Sequence, residues 1–283
     1  MTSTTPDHLP SVSLGHASEP GLRVPQLGFG VWEVPDSEVG AALARALEVG
    51  YRHVDTARIY GNEAGVGRVL ATTDVARDDL FVTTKLWNDD HANAREAFDS
   101  SVARLGVDVL DLYLIHWPAP GQDTFVQAWT TMLELHREGR VRSVGVCNFQ
   151  PAHLQRLLDE TGVLPSINQI ELSPYLQQRE LRAFHAEHDI VTEAWSPLAV
   201  RAGLLDDPVL AQIAASHGVS PAQVVLRWHL ELGNVVLTRS VTPSRISDNF
   251  DIFGFQLAAG DHEALGSLDR GRRTGPDPDR FWA

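Results

Sequence analysis

The sequence predicts a (β/α)₈ barrel, a closed ring of eight parallel strands that alternate with helices. First, eight apolar, β-branched segments recur every 25–35 residues or so, separated by stretches of helical periodicity. Second, three of them end on an ionisable residue, which is typical of buried strands whose C-terminal ends meet solvent. Third, the G-x-G-x-x-G fingerprint of a doubly wound sheet is incomplete, because Gly28 and Gly30 are not followed by a third glycine.

The elements follow one another in chain order. Residues 11–25 are predicted to form a short polar hairpin or loop that closes the bottom of the barrel. The predicted strands cover residues 26–29, 52–55, 81–85, 110–116, 143–147, 166–171, 190–195 and 235–238. The predicted amphipathic helices cover residues 37–49, 92–105, 124–138, 151–159, 178–188 and 220–232, with a weaker pattern at 62–70. The long gap between residues 195 and 235 has room for an active-site loop and two helices.

No boundary or linker interrupts the chain, so all 283 residues are assigned to one domain. Residues 1–10 are polar, lack a signal-peptide pattern and are predicted to be flexible. The tail, residues 270–283, is rich in Pro, Gly and Arg and is predicted to be irregular. Its composition is as consistent with a tail folded over the barrel mouth as with a frayed terminus.

Composition excludes several classes of protein. The 23 Lys+Arg and 37 Asp+Glu residues give a net charge of −14, which argues against nucleic acid as a partner. No apolar run approaches the roughly 18 residues of a membrane span, so no membrane association is expected. The single cysteine, Cys147, excludes an internal disulfide and suits a reducing cytoplasm. No Cys/His pair has zinc-site spacing, so no metal site is predicted.

Three consecutive strands end in chemically competent groups, namely Asp55, Lys85 and His116, and Tyr60 follows in the first loop. Because strand ends converge on one barrel mouth, these side chains are expected to lie together. A Lys⁺ against the phenol lowers the pKa of Tyr60, so that it becomes a proton donor near neutral pH, and Asp55 fixes Lys85. A neutral His116 can polarise a substrate carbonyl. The set suits reduction of a C=O group by hydride from a cofactor.

Each of these residues also has a structural interpretation when it is taken alone. Asp55 can cap the next helix, Lys85 can be a solvated charge, and His116 can be a hydrogen-bonded core residue. Their joint occurrence favours an active site. His53 lies on the same strand face as Asp55, one layer deeper, and is predicted to pack in the core.

A second site is predicted after the eighth strand. Thr242 is the expected N-cap of a helix with Pro243 at its first position. A helix N-terminus at this point of a barrel is a common phosphate site, and Arg239 and Arg245 flank it. The alternative is an ordinary capped helix with exposed arginines.

Four tryptophans fall at or just after strand ends. Core packing accounts for any one of them, but four at the same end of a barrel predict a pocket that stacks rings and excludes water. They are Trp32, Trp87, Trp117 and Trp195.

The chain resembles the aldo-keto reductases from about residue 24 to residue 281, and is most similar to the bacterial branch that contains 2,5-diketo-D-gluconate reductases. Family-specific segments occur in the family's order. They are QLGFGVW (26–32), HVDTARIYG (53–61), TKLW (84–87), DLYLIHWP (111–118), GVCNF (145–149), NQIE (168–171), EAWSPL (193–198) and residues 239–249.

The resemblance implies a catalytic tetrad of Asp55, Tyr60, Lys85 and His116, with Tyr60 as the general acid and NADPH extended across the barrel mouth. The residues that match the family's cofactor site are Cys147, Asn148, Gln169, Trp195, Ser196, Pro197, Leu198, Arg239, Ser240, Val241, Arg245 and Asn249. The residues that match the substrate pocket are Trp32, Trp87 and Trp117.

Four positions depart from the family pattern, and one of them is Thr238, which replaces the usual Pro just before the phosphate-site residue. Cys147 replaces the usual Ser, and a thiol is the weaker donor. Arg239 replaces the usual Lys of the phosphate site, with a different geometry toward phosphate. Ala199 replaces the usual Gly after the pyrophosphate loop.

The resemblance implies a monomeric, cytoplasmic, NADPH-dependent reductase of small aldehydes or ketones, with sugar-derived dicarbonyls as candidate substrates. Two other classes stay open. A class I aldolase would use Lys85 as a Schiff-base amine on the same barrel. A redox-sensing protein would bind NADPH with little turnover.

Overall fold

The computed structural model of the chain describes residues 9–282. An N-terminal hairpin precedes a closed barrel of eight strands, in which every neighbouring pair is parallel. The strands are β1 (Ser11–Ser13), β2 (Arg23–Pro25), β3 (Leu27–Gly30), β4 (His53–Asp55), β5 (Phe81–Leu86), β6 (Leu110–Ile115), β7 (Val141–Cys147), β8 (Ile167–Glu171), β9 (Val191–Trp195) and β10 (Val235–Thr238). The ring closes between β10 and β3, which confirms the predicted (β/α)₈ barrel.

The hairpin β1–β2 closes the bottom of the barrel, as predicted. Val12 pairs with Val24 across it, and Leu14 and Leu22 are buried at the base of the barrel interior. Residues 1–10 are predicted to be flexible, and residues 1–8 of this segment lie outside the described residues. Pro10 is half-buried, and its carbonyl accepts a hydrogen bond from the amide of Gln26 at 2.9 Å.

The helices cover the outside of the barrel. They are α1 (Asp36–Val49), α2 (Glu63–Leu70), α3 (Ala94–Leu105), α4 (Phe125–Arg137), α5 (Pro151–Thr161), α6 (Arg179–Glu187), α7 (Pro208–His217), α8 (Pro221–Glu231), α9 (Pro243–Phe250) and α10 (Ala259–Gly266). The seven helices predicted from periodicity are confirmed to within two residues at each end, and the gap before β10 holds two helices as expected. Helix α10 was not predicted, because Leu265 is its only buried residue and so leaves no amphipathic pattern.

The apolar stripe of each helix explains why it lies on the barrel. In α1 the buried residues include Val39, Leu43 and Leu47, at the spacing of one helical face. Burying each such side chain contributes about 1.5–3 kcal/mol. Within residues 9–282, no single helix is long and apolar enough to cross a membrane. Only α7 and α8 taken together have that length and apolar composition, and they are bent by 85° at the break between them.

Candidate active site

The four residues of the predicted tetrad meet at the C-terminal mouth of the barrel. Asp55 ends β4, Lys85 is the penultimate residue of β5, and His116 directly follows β6. Lys85 Nζ lies 2.6 Å from Asp55 Oδ1 and 5.2 Å from the centroid of the Tyr60 ring. The Tyr60 and His116 rings meet edge to face, with centroids 5.7 Å apart. The predicted convergence is therefore observed.

The loop that carries Tyr60 is held by a buried asparagine. Tyr60 ends a short 3₁₀ turn after β4, and Gly61 follows with φ +69°, a left-handed conformation that glycine adopts without strain. Asn62 Nδ2 donates to the carbonyls of Val31 and Val34, each at 2.8 Å. Its Oδ1 accepts from the Thr56 hydroxyl at 2.9 Å. Two of these hydrogen bonds tie the Tyr60 loop to the loop after β3, and the third, with Thr56, braces the Tyr60 loop itself.

Lys85, the only lysine in the sequence, is fully buried. It donates to Asp55 and, at 2.9 Å, to the carbonyl of Thr56. Burial is the largest single influence and lowers the pKa of Lys85, but the charge of Asp55, smaller contributions from Tyr60 and Cys147, and the hydrogen bond to Asp55 together outweigh it, so the pKa is raised. Lys85 is therefore a fixed cation behind the Tyr60 phenol. An imine-forming lysine must shed its proton and be reachable, so this pairing does not favour a Schiff-base aldolase.

Burial raises the pKa of Tyr60, and the charge of Lys85 offsets only part of that effect. The effect of Lys85 has the predicted direction, but the expected net fall in the pKa of Tyr60 is wrong, because desolvation of the phenolate is larger. Tyr60 is thus protonated at neutral pH, the form that donates a proton. Burial, followed by the charge of Lys85, holds the pKa of His116 well below its usual range, so His116 is neutral as predicted.

A cavity of about 610 Å³ opens above the tetrad. Asp55, Tyr60 and His116 line its floor, and Arg239 lies at its far rim. The predicted aromatic mouth is present, and all four tryptophans line this cavity. They are Trp32, Trp87, Trp117 and Trp195.

The predicted cofactor residues divide into two groups. Those that line the cavity are Asn148, Gln169, Trp195, Ser196, Pro197, Leu198 and Arg239. Among them, Trp195 Nε1 donates to Asn148 Oδ1 at 2.8 Å, and Asn148 Nδ2 donates to the His116 carbonyl at 3.0 Å. These bonds fix the side chain of Asn148 beside the tetrad.

The other group does not line the cavity. Cys147 is fully buried among apolar residues of the barrel interior, where burial raises the pKa of its thiol. Ser240, Val241, Arg245 and Asn249 lie beyond Arg239, around the start of α9 and along it. Helix α9 begins as predicted, with Thr242 at the N-cap and Pro243 next, but the Thr242 side chain makes no capping hydrogen bond.

Two ion pairs to one carboxylate join three loops at the cavity rim. Sequence periodicity gives no sign of them. The carboxylate of Glu33 lies 2.9 Å from Arg201 Nη2 and 3.4 Å from Arg239 Nη1. Both guanidinium groups also lie over the Trp32 ring, 5.2 and 5.5 Å from its centroid. Arg239 is thus held at the rim by an exposed ion pair and by ring stacking.

The C-terminal tail lies over the mouth of the barrel, so the frayed-terminus interpretation is wrong. Thr274, Gly275 and Pro276 line the cavity, and the Phe281 ring packs on Trp117 with centroids 4.6 Å apart. The tail is specified by contacts with the barrel, whereas its composition carries no periodic signal.

One buried carboxylate anchors this tail. Glu171, at the end of β8, accepts the amide and the hydroxyl of Thr274 at 2.5 Å each and the Gly275 amide at 3.2 Å. Gly275 then lies against Trp195, where an added Cβ would come within 2.4 Å of the indole. The close approach explains why a glycine is required at this position.

Replacing Glu171 by glutamine is expected to loosen the tail, because the amide keeps one acceptor oxygen and loses the charge that strengthens three hydrogen bonds. The KM for a carbonyl substrate should rise about tenfold, with a smaller effect on kcat. Steady-state kinetics and limited proteolysis of the tail measure both effects. Thr274→Val, which removes the hydroxyl alone, is the matched control, and an unchanged KM and cleavage rate in Glu171→Gln would contradict the anchoring role.

A closed eight-stranded barrel with Asp, Tyr, Lys and His at its mouth matches the sequence expectation, and residues 26–270 match the family model described as the aldo/keto reductase family. The chain belongs to this family and is an oxidoreductase.

Its relatives include proteins of named activity. The methylglyoxal reductase DkgA of Escherichia coli (strain K12) is 54% identical over 262 residues, which cover 92% of this chain and 95% of that protein. An aldo-keto reductase of Mycolicibacterium smegmatis is 52% identical over 263 residues, with the same coverage of 92% and 95%. The crystal structure of a Gox0644 mutant in complex with NADPH has a TM-score of 0.91 at 45% identity and covers 97% of this chain and 99% of that one.

Proposed function

We propose that this chain reduces small aldehydes and ketones to alcohols with NADPH, and that Tyr60 donates the proton. The observation that carries the proposal is the buried Asp55–Lys85 pair behind Tyr60, at the floor of an aromatic cavity. The relatives named as methylglyoxal reductases and the NADPH complex of a structural neighbour support it.

Each side chain of the tetrad has a separate role in the proposed reaction. Bound NADPH supplies the hydride. A neutral His116 orients the substrate carbonyl by a hydrogen bond to its oxygen, and Tyr60 transfers its proton to that same oxygen. The cation of Lys85 stabilises the negative charge that develops on the phenol oxygen, and Asp55 keeps Lys85 in place. The tryptophans and the tail exclude water from the site.

The lining of the cavity fits a nicotinamide dinucleotide. Asn148 and Gln169 offer amide groups beside the tetrad, and Trp195 offers a ring face for stacking. Ser196–Leu198 form the adjacent wall, which we assign to the pyrophosphate. Arg239 at the far rim is assigned to the 2′-phosphate, together with Ser240, Val241, Arg245 and Asn249 for the adenosine.

Arg239→Gln should weaken NADPH binding by about 10- to 100-fold, the range for a hydrogen-bonded charge, and leave NADH binding nearly unchanged. Titration of intrinsic tryptophan fluorescence with each nucleotide measures both affinities. Arg137→Gln, at an exposed arginine near the end of α4, is the control. Equal loss of affinity for NADPH and NADH would contradict the assignment of Arg239 to the 2′-phosphate.

Small dicarbonyls are the proposed substrates, because relatives are named methylglyoxal reductases and the tail and the tryptophans form an aromatic lining around Tyr60. Comparison of kcat/KM for methylglyoxal, 2,5-diketo-D-gluconate and a simple aromatic aldehyde tests this. We expect kcat/KM to be higher for either dicarbonyl than for the aromatic aldehyde, and the reverse order would contradict the assignment.

We also propose that the enzyme acts as a monomer, because all four tetrad residues come from one chain. We place it in the cytoplasm, where its free Cys147 stays reduced.

A further inference from the structure

A buried carboxyl group below the tetrad has no part in the chemistry described so far. Glu193, on β9, is fully buried, and its Oε2 accepts a hydrogen bond from Gln169 Nε2 at 2.9 Å. The same nitrogen donates to Asp55 Oδ2 at 3.0 Å. Two carboxyl groups therefore share one amide group, and one of the two belongs to the tetrad.

The sheet register places these groups together. Gln169 on β8 is the direct strand partner of Glu193 on β9, and Val235 is the partner of Glu193 on β10. An amide nitrogen carries two hydrogens, and both are used by the two carboxyl groups. Gln169 also lines the cavity, so its carbonyl oxygen is the group left for a ligand.

The charges around Glu193 indicate that it is uncharged at neutral pH. The nearby cation, Lys85 on β5, is already paired with Asp55 on β4. His53 Nε2 lies 3.8 Å from Glu193 Oε1, but burial lowers the pKa of His53 to about 4, and Cys147 on β7 is held as a neutral thiol. Burial, followed by repulsion from Asp55, raises the pKa of Glu193 to about 8.

We propose that Glu193 is a positioning residue, a neutral carboxylic acid that together with Asp55 fixes the Gln169 amide with its carbonyl oxygen toward the cavity. The inference rests on the proposed function, which places Gln169 in the nicotinamide site. While neutral, Glu193 adds no second negative charge below Tyr60. Its ionisation makes Tyr60 a weaker acid, because a nearby negative charge disfavours the phenolate.

The protonation state of Glu193 can be measured without turnover. Infrared difference titration of the full-length enzyme should show a protonated-carboxyl band that is lost with a midpoint near pH 8. The band should be absent in Glu193→Gln and present in Glu63→Gln, which removes an equally buried carboxylate that contacts Thr84 and Arg104. No such band, or the same band in Glu193→Gln, overturns the proposal.

Its effect on the reaction is read from pH profiles and nucleotide affinity. In the wild type, kcat should decline above about pH 8, because ionised Glu193 makes Tyr60 a weaker acid. One pH unit higher, only about a tenth of Glu193 stays protonated. Glu193→Gln cannot ionise at this position and should lose the decline. Glu193→Ala should raise the Kd for NADPH about fivefold, the value of one hydrogen bond, and Glu193→Gln should restore it. Coincident pH profiles, or unchanged affinity in Glu193→Ala, overturn the positioning role. Absence of turnover with every carbonyl contradicts the proposed function instead, and the infrared titration then decides whether Glu193 is neutral.

Discussion

Replacing Tyr60 by phenylalanine should lower kcat by at least about 10²-fold, the usual contribution of a positioned general acid. The ring keeps its packing against His116, so the change removes only the hydroxyl that faces Lys85. NADPH affinity should be retained, because the assigned nucleotide contacts lie on other strands. Single-turnover kinetics separate the two quantities, since they report the reduction step apart from binding and release.

Two variants control for indirect effects in this experiment. Arg58→Gln alters another residue of the same turn, which pairs with Asp90 and is not among the residues that line the cavity, and it should leave most of kcat. His116→Ala should also reduce kcat, since it removes the proposed hydrogen bond to the substrate oxygen. Full activity in Tyr60→Phe would contradict the role of Tyr60 as proton donor.

Lys85→Met should destabilise the folded state by about 3–5 kcal/mol, because it leaves the carboxylate of Asp55 buried without its partner. Asp55 would keep only the Gln169 amide of the two hydrogen bonds that it accepts. The variant should also lose activity, since no cation remains behind the Tyr60 phenol. Urea unfolding measures the change in the free energy of unfolding.

The double variant Asp55→Asn with Lys85→Met separates charge from packing. It replaces the buried ion pair by neutral groups of similar size, so much of the lost stability should return while activity stays low. If Lys85→Met is as stable as the wild type, the buried ion pair is not the element that organises the site.

The sequence was sufficient to predict the barrel and the tetrad, because both depend on local patterns. Buried parallel strands are continuous apolar runs, and their ends converge whatever the detailed packing. Asp55, Lys85 and His116 could therefore be placed together before any coordinates were known. The aromatic mouth followed by the same reasoning from four tryptophans at strand ends.

Features that depend on side chains distant in sequence were missed. Glu171 anchors a tail about 100 residues further along the chain, and Glu33 meets Arg201 and Arg239 from two other loops. Neither contact leaves a periodic signal. The direction of the Tyr60 pKa was also misjudged, because the charge of Lys85 is visible in the sequence whereas the degree of burial is not. Glu193 was part of a recognised motif, but only the barrel register shows that it shares Gln169 with Asp55.

The most direct test of the central claim is the oxidation of NADPH by the wild-type enzyme in the presence of methylglyoxal, followed by nicotinamide absorbance alongside the alcohol formed. NADH in place of NADPH is the matched comparison. We expect one alcohol per NADPH oxidised, and much slower turnover with NADH. No turnover with either nucleotide, here and with 2,5-diketo-D-gluconate and an aromatic aldehyde, would contradict the assignment as a carbonyl reductase and favour a protein that binds the nucleotide without using it.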